Sequence, residues 1–407
     1  MQRRELIKLF SLIPYAGSAA IIPWSTANAA PANPPAEKRN VFKELGVRTF
    51  INAAGTYTAM TGSLMHDYVL DIIQSAATEF CMLDELQDKV GEKIATLVHA
   101  EAAVVTSGAF SGMTLGLAGI LTGMDQKKVA QLPHLDGTGM RSEVIIQKAH
   151  EIVYNHALKN TGCKLIYVET AEEAEQAINE RTALLHFLNI EADKGKINQE
   201  EWVALGRKHN IPTSIDIAAD VPPVSNLWKF NDMGFSFVVI SGGKAIRGPQ
   251  SAGLLMGKKE IIAAARLHMP PRGFNIGRGF KVNKEEILGM YVALDKYIKE
   301  DHDKEWKAWE TATAVIDNAA KSVSGVTTSI TVPALGNVTP TLQIAWDAGK
   351  VKLSGKDLQE KLRSGIPSIE IGGVKDNSIT VTVWMLKPGQ EKIVAGRIKE
   401  ELLKAVG

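Results

Sequence analysis

Cysteine is almost missing from this chain: Cys81 and Cys163 are the only two among 407 residues. Two thiols so far apart form no metal-binding or redox motif, and they give no indication of a structural disulfide. An excess of charge of either sign is missing as well. Lys and Arg number 46 against 45 Asp and Glu, so no basic field draws nucleic acid, and none is expected as a partner. A His-Glu-x-x-His metal motif, a nucleophile elbow and a Walker loop are all absent. So are internal repeats and long low-complexity tracts. What remains is ordinary for a soluble globular protein, 45% hydrophobic and 22% charged with 35 Gly and 16 Pro. Its length allows a sizeable core and two domains.

Long hydrophobic runs are scarce too, and the nearest approach to one is N-terminal. Arg3-Arg4 is followed by apolar residues from Leu6 to Trp24, broken at Pro14 and Gly17, and then by the small-x-small site Ala27-Asn28-Ala29. The run is too short and too interrupted for a comfortable membrane span, and it has the parts of a secretion signal. The expectation is an export signal over residues 1–29, a Pro/Ala-rich linker over 30–40, no permanent membrane anchor, and a periplasmic or secreted protein. Arg3-Arg4-Glu5-Leu6-Ile7-Lys8 resembles a twin-arginine leader, although Gln2 stands where a hydroxyl residue is usual. That route carries folded proteins, which suits one that loads a cofactor before export.

Beyond the leader, short apolar runs alternate with helical spacing. The small-residue segment Phe50 to Thr58 suits a close backbone approach and carries Asn52 and Thr56 as candidate substrate contacts. Helices are expected between Asp67 and Val98, where apolar residues recur at helical spacing. Buried strands are expected at residues 102–105, 144–146, 165–168, 184–188 and 238–240, and another ends at Asp216, with helices between them. Such alternation implies an α/β large domain, residues 41–300, with a mostly parallel sheet covered on both faces. A small α+β C-terminal domain follows over 301–407, with strands at 327–332, 341–346 and 378–384 and helices at 354–363 and 388–406.

Ligands of such sheets gather beyond the C-terminal ends of the strands, and the chemically informative residues fall there. Val238-Val239-Ile240 ends in Ser241-Gly242-Gly243-Lys244. A lysine presented by so tight a turn can lose enough solvation to lower its pKa and form a Schiff base with a carbonyl cofactor. Thr106-Ser107-Gly108-Ala109 opens a long apolar helix, and the exposed N–H groups and dipole of such a start make a phosphate cradle. Asp216 sits in an apolar run where a carboxylate is costly without a partner. His150 and His156 each offer a flat ring. Pyridoxal 5'-phosphate needs all four: a lysine for its aldehyde, an anion site for its phosphate, a carboxylate against its ring nitrogen and a flat side chain to stack. Either histidine could supply the last.

These stretches carry a resemblance. Ile51 to Thr56, Glu101 to Ala109, Ile215 to Ala219, Ser241 to Gln250 and Lys281 to Ile287 follow one another as in the fold-type I, aspartate-aminotransferase-like pyridoxal-phosphate enzymes. Within these the chain resembles the group of bacterial selenocysteine synthase and D-glucosaminate-6-phosphate ammonia-lyase. The resemblance implies Lys244 as the Schiff-base residue, Asp216 as the ring-nitrogen partner, and Ser107, Gly108 and Ala109 with Ser241 around the phosphate. It also implies a homodimer or larger homo-oligomer whose sites are shared between subunits. Selenocysteine synthases act on a charged tRNA held by a basic extension; the near-zero charge and the leader here point instead to a small amino acid or amino-sugar acid. Many relatives carry a carboxylate-binding arginine near Val383-Trp384-Met385, where this chain has none, leaving Arg272, Arg278 or Lys281 for that task. The expected reaction is α,β-elimination with ammonia release, Lys244 acting as general base with Asp216 and His150 in support. A racemase, epimerase or aminotransferase begins with the same proton abstraction, and a scaffold without catalysis on this fold is the remaining alternative.

Overall fold

The computed structural model describes residues 39–407. The expected export signal, and the linker up to residue 38, lie outside the described residues. Residues 39–48 hold a short helix, Val41–Glu44, capped by the Asn40 side chain, and belong to a different unit from the body that begins at Thr49.

Within that body the strands are β1 (Ile51–Ala53), β2 (Ala102–Thr106), β3 (Glu143–Gln147), β4 (Lys164–Val168), β5 (Thr182–Leu188), β6 (Thr213–Asp216), β7 (Phe237–Ser241) and β8 (Gly253–Gly257), followed by β9 (Val326–Thr331), β10 (Thr341–Trp346), β11 (Ile369–Lys375) and β12 (Ser378–Thr382). Seven of them form the large sheet in the order β2-β8-β7-β6-β5-β3-β4. Strands β3 to β7 pair in parallel, while β8 runs antiparallel to both β7 and β2. The expected mostly parallel α/β sheet is thus present. Its one reversed strand has little sequence signal, because the apolar run Leu254-Leu255-Met256 is three residues long between two glycines, too short to separate from a buried turn.

Alternate residues of each strand feed opposite faces, as the pleat requires. On β7, Val238 and Ile240 join the core under helices Asp67–Ala77, Leu83–Leu97 and Lys284–Lys299, whereas Phe237 and Val239 join the core under helices Ala109–Thr122 and Lys259–Arg266. The β-branched run is therefore buried on both sides, which is why it reads as uniformly apolar.

The second sheet has the order β1-β11-β12-β10-β9. It is covered by helices His302–Lys321, Gly355–Ser364 and Gln390–Lys404 around a core that includes Ile316, Leu342, Ile344 and Ile398. Strand β1 pairs in parallel with β11, Ile51 opposite Ile369, so the body that begins at Thr49 enters the C-terminal sheet before the large one. Strand β11 has no counterpart among the strands read from the sequence; Gly372 and Gly373 interrupt its pattern and the β11–β12 register shifts there.

Candidate active site

The parallel strands end along one edge of the large sheet, and the residues that follow them meet there. Strand β2 leads to the turn Ser107-Gly108, β3 to His150, β5 to Asn189, β6 ends at Asp216, and β7 ends at Ser241 ahead of Lys244. Lys244 lies in the connection that reverses the chain from β7 into β8. Its loop is held by Gly242 N–H donating to the Ala252 carbonyl at 2.8 Å and Arg247 N–H donating to the Lys244 carbonyl at 3.0 Å. A Cβ on Gly243 would stand 2.4 Å from Gln250 Cα, so only glycine allows this turn to close.

Lys244 is half-buried and lines a cleft of about 230 Å³ with Thr56, Ser241, Gly243, Gln250 and Ser251. Burial lowers its pKa, while the carboxyl groups of Asp216 and Asp220 oppose that shift. Asp216 is 5% exposed, and its Oδ1 accepts the Ala218 N–H at 2.8 Å. Its pKa is raised by burial, against the pull of that N–H and of Lys244. Lysine and aspartate thus respond to one another from adjacent strand ends, with Asp216 in register with Val239.

Helix Ala109–Thr122 starts at Gly108, which has φ 90° and gives the first turn no side-chain cap. The hydroxyls nearby are turned to its carbonyl instead: Thr106 Oγ1 and Ser111 Oγ each donate to the Gly108 oxygen at 2.9 Å. Ser107 Oγ donates to Ser111 Oγ at 3.1 Å. The first N–H groups of the helix, from Ala109 onward, are therefore left for an anion. Strand β8 supports this cradle from behind, since a Cβ on Gly253 would lie 2.6 Å from the Gly108 carbonyl carbon and 2.8 Å from Ala109 N. Overpacking of this kind costs about 1–3 kcal/mol. Gly253→Ala is expected to lower the melting temperature and to weaken cofactor binding, both readable by titrating pyridoxal phosphate against thermal melting. Unchanged affinity in a folded variant would separate the Gly108 turn from the phosphate.

His150 is fully buried. Its Nδ1 accepts the Leu188 N–H at 3.3 Å, and its ring meets Phe187 edge-on with centroids 4.5 Å apart. Burial pushes its pKa down to about 4, so the ring is neutral near pH 7. His156 begins the short helix His156–Lys159, is exposed, and lines a separate cleft with Glu151, Asn155 and Tyr167.

Other expected contacts are dispersed. Asn52 is committed to its own turn, accepting N–H from Ala54 and Gly55 at 3.0 and 3.1 Å and donating to the Gly55 carbonyl at 2.8 Å. Arg272 holds Asp84 through two nitrogens at 3.0 and 3.3 Å, beside Arg266, which reaches the same carboxylate at 2.7 Å. Arg278 and Lys281 line another cleft, with Cys81, Pro270, Pro271 and Asn283. Both cysteines are free.

Two polar residues at this edge escaped the sequence reading. Asn189 is buried at the end of β5, and its Oδ1 accepts from Gln199 Nε2 at 2.9 Å. Asp220 is 2% exposed. Burial, with Asp216 adding to it, pushes its pKa up to about 7, while Asn189, the Gly336 N–H and Lys244 pull the other way. The available signal was the one that marked Asp216: a lone carboxylate between Ile217-Ala218-Ala219 and Val221-Pro222-Pro223 is expensive unless something uses it.

The donor set fits pyridoxal 5'-phosphate. It offers a lysine of lowered pKa lining a cleft, a buried carboxyl that acts on it, and an uncapped helix start with a tight glycine wall, while the fully buried His150 is not among the residues that line that cleft. A family model described as L-seryl-tRNA selenium transferase matches residues 50–324. The chain belongs to the L-seryl-tRNA selenium transferase family. It is 27% identical over 377 residues to D-glucosaminate-6-phosphate ammonia lyase of Salmonella typhimurium, covering 89% of this chain and 97% of that one. It is also 27% identical over 380 residues to the 5'-C-glycyluridine monooxygenase-decarboxylase of a Streptomyces species, covering 89% and 92%. The solved structure of D-glucosaminate-6-phosphate ammonia-lyase superposes with a TM-score of 0.79 at 25% identity, over 91% of this chain and all of that one. Family, fold and donor set together make this a pyridoxal-phosphate-dependent enzyme of the fold-type I class.

Proposed function

We propose that the protein is a lyase that releases ammonia from a small amino acid or amino-sugar acid by α,β-elimination, leaving a 2-oxo acid. The observation that carries this reading is the Lys244–Asp216 pair at the strand ends of a chain that matches an ammonia lyase over almost its whole length. When bound, pyridoxal phosphate supplies a sink for the electron pair left at the substrate Cα. Lys244 would hold the cofactor and, with its Nζ free, would take the substrate's Cα proton. Asp216, as an anion, keeps a proton on the ring nitrogen. The turn at Gly108 anchors the phosphate, and Thr56 and Ser241 wall the cleft beside Lys244. The electron pair from the Cα–H bond would form the Cα–Cβ double bond as the β-hydroxyl departs as water with the proton that Nζ took from Cα, and hydrolysis of the enamine would give the oxo acid and ammonia.

A near-neutral chain supports a small-molecule substrate rather than a nucleic acid, and the leader supports a periplasmic or secreted location. A homodimer or larger assembly is part of the reading, readable by light scattering of the mature protein. The deciding test incubates that protein with D- and L-amino acids and amino-sugar acids while ammonia and oxo acid are assayed. Stoichiometric release of both from one substrate is expected. Inversion at Cα without ammonia would make it a racemase or epimerase, and dependence on an amino acceptor an aminotransferase. Oxygen uptake with carbon dioxide release would move it toward the Streptomyces relative. A protein that takes up no cofactor would be a scaffold.

A further inference from the structure

A cavity of about 640 Å³ opens at the other edge of the large sheet, where the parallel strands begin, beside Thr213 at the start of β6, Ser236 just before β7 and Lys258 just after β8. Strand β6 runs from this edge to Asp216, so roughly 10 Å of sheet separates the cavity from the candidate active site. Its floor is apolar: Val203, Ile211 and Ile261 line it and are at most 8% exposed. Its rim is basic, with Arg141, Arg207 and Lys258 exposed there against the acid Glu260. Lys258 is spent on Glu101, 2.6 Å away. Arg141 and Arg207 are not spent, since among the described residues neither side chain has an ion pair or a hydrogen bond. Arg278 is the other arginine in that condition; elsewhere guanidiniums are taken up, as Arg181 is by Glu143 at 2.6 Å and Arg266 by Asp84 at 2.7 Å. Lys208 and His209, next to Arg207 in its helix, are both held by Glu175. Arg207 reaches over Gly234 instead: a Cβ on that glycine, whose φ is 104°, would stand 3.1 Å from Arg207 Nη2 and 3.7 Å from Val203 Cγ1. The guanidinium thus lies against the apolar floor with its N–H groups lacking an acceptor.

We propose that this cleft binds an organic phosphate of nucleotide size, its phosphate met by Arg141 and Arg207 and its flat body laid on the Val203, Ile211 and Ile261 floor. Small-molecule sites are mostly apolar concavities with a few polar groups that fix orientation, and the volume here is in their range. Arginine takes phosphate through paired N–H groups. Two guanidiniums match the charge of about −2 that a phosphate ester carries near pH 7, whereas one carboxylate would leave a guanidinium unanswered. Asn210, exposed at the rim with φ 53°, brings a further polar side chain beside Ile211. Because the cleft and Lys244 stand at opposite edges of the sheet, this ligand and the cofactor are held at the same time without competing. The assignment is independent of the reaction proposed above.

Calorimetric titration of the cofactor-loaded protein with adenosine 5'-monophosphate, adenosine and inorganic phosphate tests this. Saturable binding of the nucleotide is expected, about tenfold tighter than that of adenosine or phosphate, because each fragment makes only part of the contact. The absorbance of the bound cofactor should not move as the nucleotide binds. Arg141→Gln and Arg207→Gln should each weaken the nucleotide about tenfold, the loss of one charge-assisted contact. Lys404→Gln, which removes an equal charge from the distant helix Gln390–Lys404, should leave the affinity unchanged. Both arginines are exposed and make no bond within the fold, so their variants should melt with the unaltered protein. A nucleotide that binds both arginine variants as well as it binds the unaltered protein, or no more tightly than inorganic phosphate, would overturn the proposal. So would displacement of the cofactor by the nucleotide, or the absence of saturable binding.

Discussion

Lys244→Ala is expected to end covalent capture of the cofactor and to cut ammonia release by about 10²–10⁴-fold from lost proton transfer alone. The reason is that one nitrogen does two jobs. It is the amine presented by the tight Ser241–Gly243 turn, in a cleft it lines with Thr56 and Ser251, and burial lowers its pKa toward the range where an amine can attack a carbonyl. Alanine leaves neither nucleophile nor base, yet the surrounding loop is fixed by backbone hydrogen bonds, so the fold should persist. Borohydride reduction followed by digestion should place the cofactor on the Lys244 peptide of the unaltered protein and on none in the variant. Cofactor found on another lysine would remove Lys244 from the centre of the site.

Asp216→Asn should separate chemistry from stability. On the proposed reading the carboxylate keeps the ring nitrogen of the bound cofactor protonated, and losing so well placed a charge is expected to cost on the order of 10²–10³-fold in rate. Without cofactor the same carboxylate is a liability. Its pKa lies above the ordinary 3.8 because burial disfavours the charge, so the folded chain holds the proton more tightly than the unfolded one. The stability this confers is complete below the ordinary carboxylate range and is lost as the pH rises through the raised value. An asparagine escapes that loss. The cofactor-free variant should therefore melt above the unaltered protein near pH 7, the difference closing as the pH falls toward about 4. Equal melting temperatures across that range would mean that Asp216 is not ionised at cost, and a variant with undiminished rate would break its assignment to the ring nitrogen.

Much of this site was legible in one dimension because each part depends on its immediate neighbours. The strand Val238-Val239-Ile240 and its glycine turn mark Lys244. The Ser107-Gly108 turn before an apolar helix marks the candidate phosphate cradle, and Asp216 stands out as a carboxylate in an apolar run. Strand β8 was not legible, because its three apolar residues owe their conformation to hydrogen bonds with β2 and β7 on either side. Nor was the pairing of β1 with β11, which joins residues more than 300 positions apart in the chain.

The sequence by itself therefore determined the cofactor chemistry and the class of sheet, since a strand, a turn or a helix start is set within about ten residues by periodicity and backbone chemistry. Tertiary structure decided where each side chain with the right chemistry stands. His150 and His156 are six positions apart and equally suited by type, yet one is buried at the strand ends against Phe187 and the other is exposed beside Tyr167. Arg272 is bound to Asp84 across 188 positions, and Asp216 acts on Lys244 because β6 and β7 lie side by side. Contacts of this kind follow from topology, and local patterning carries no trace of them.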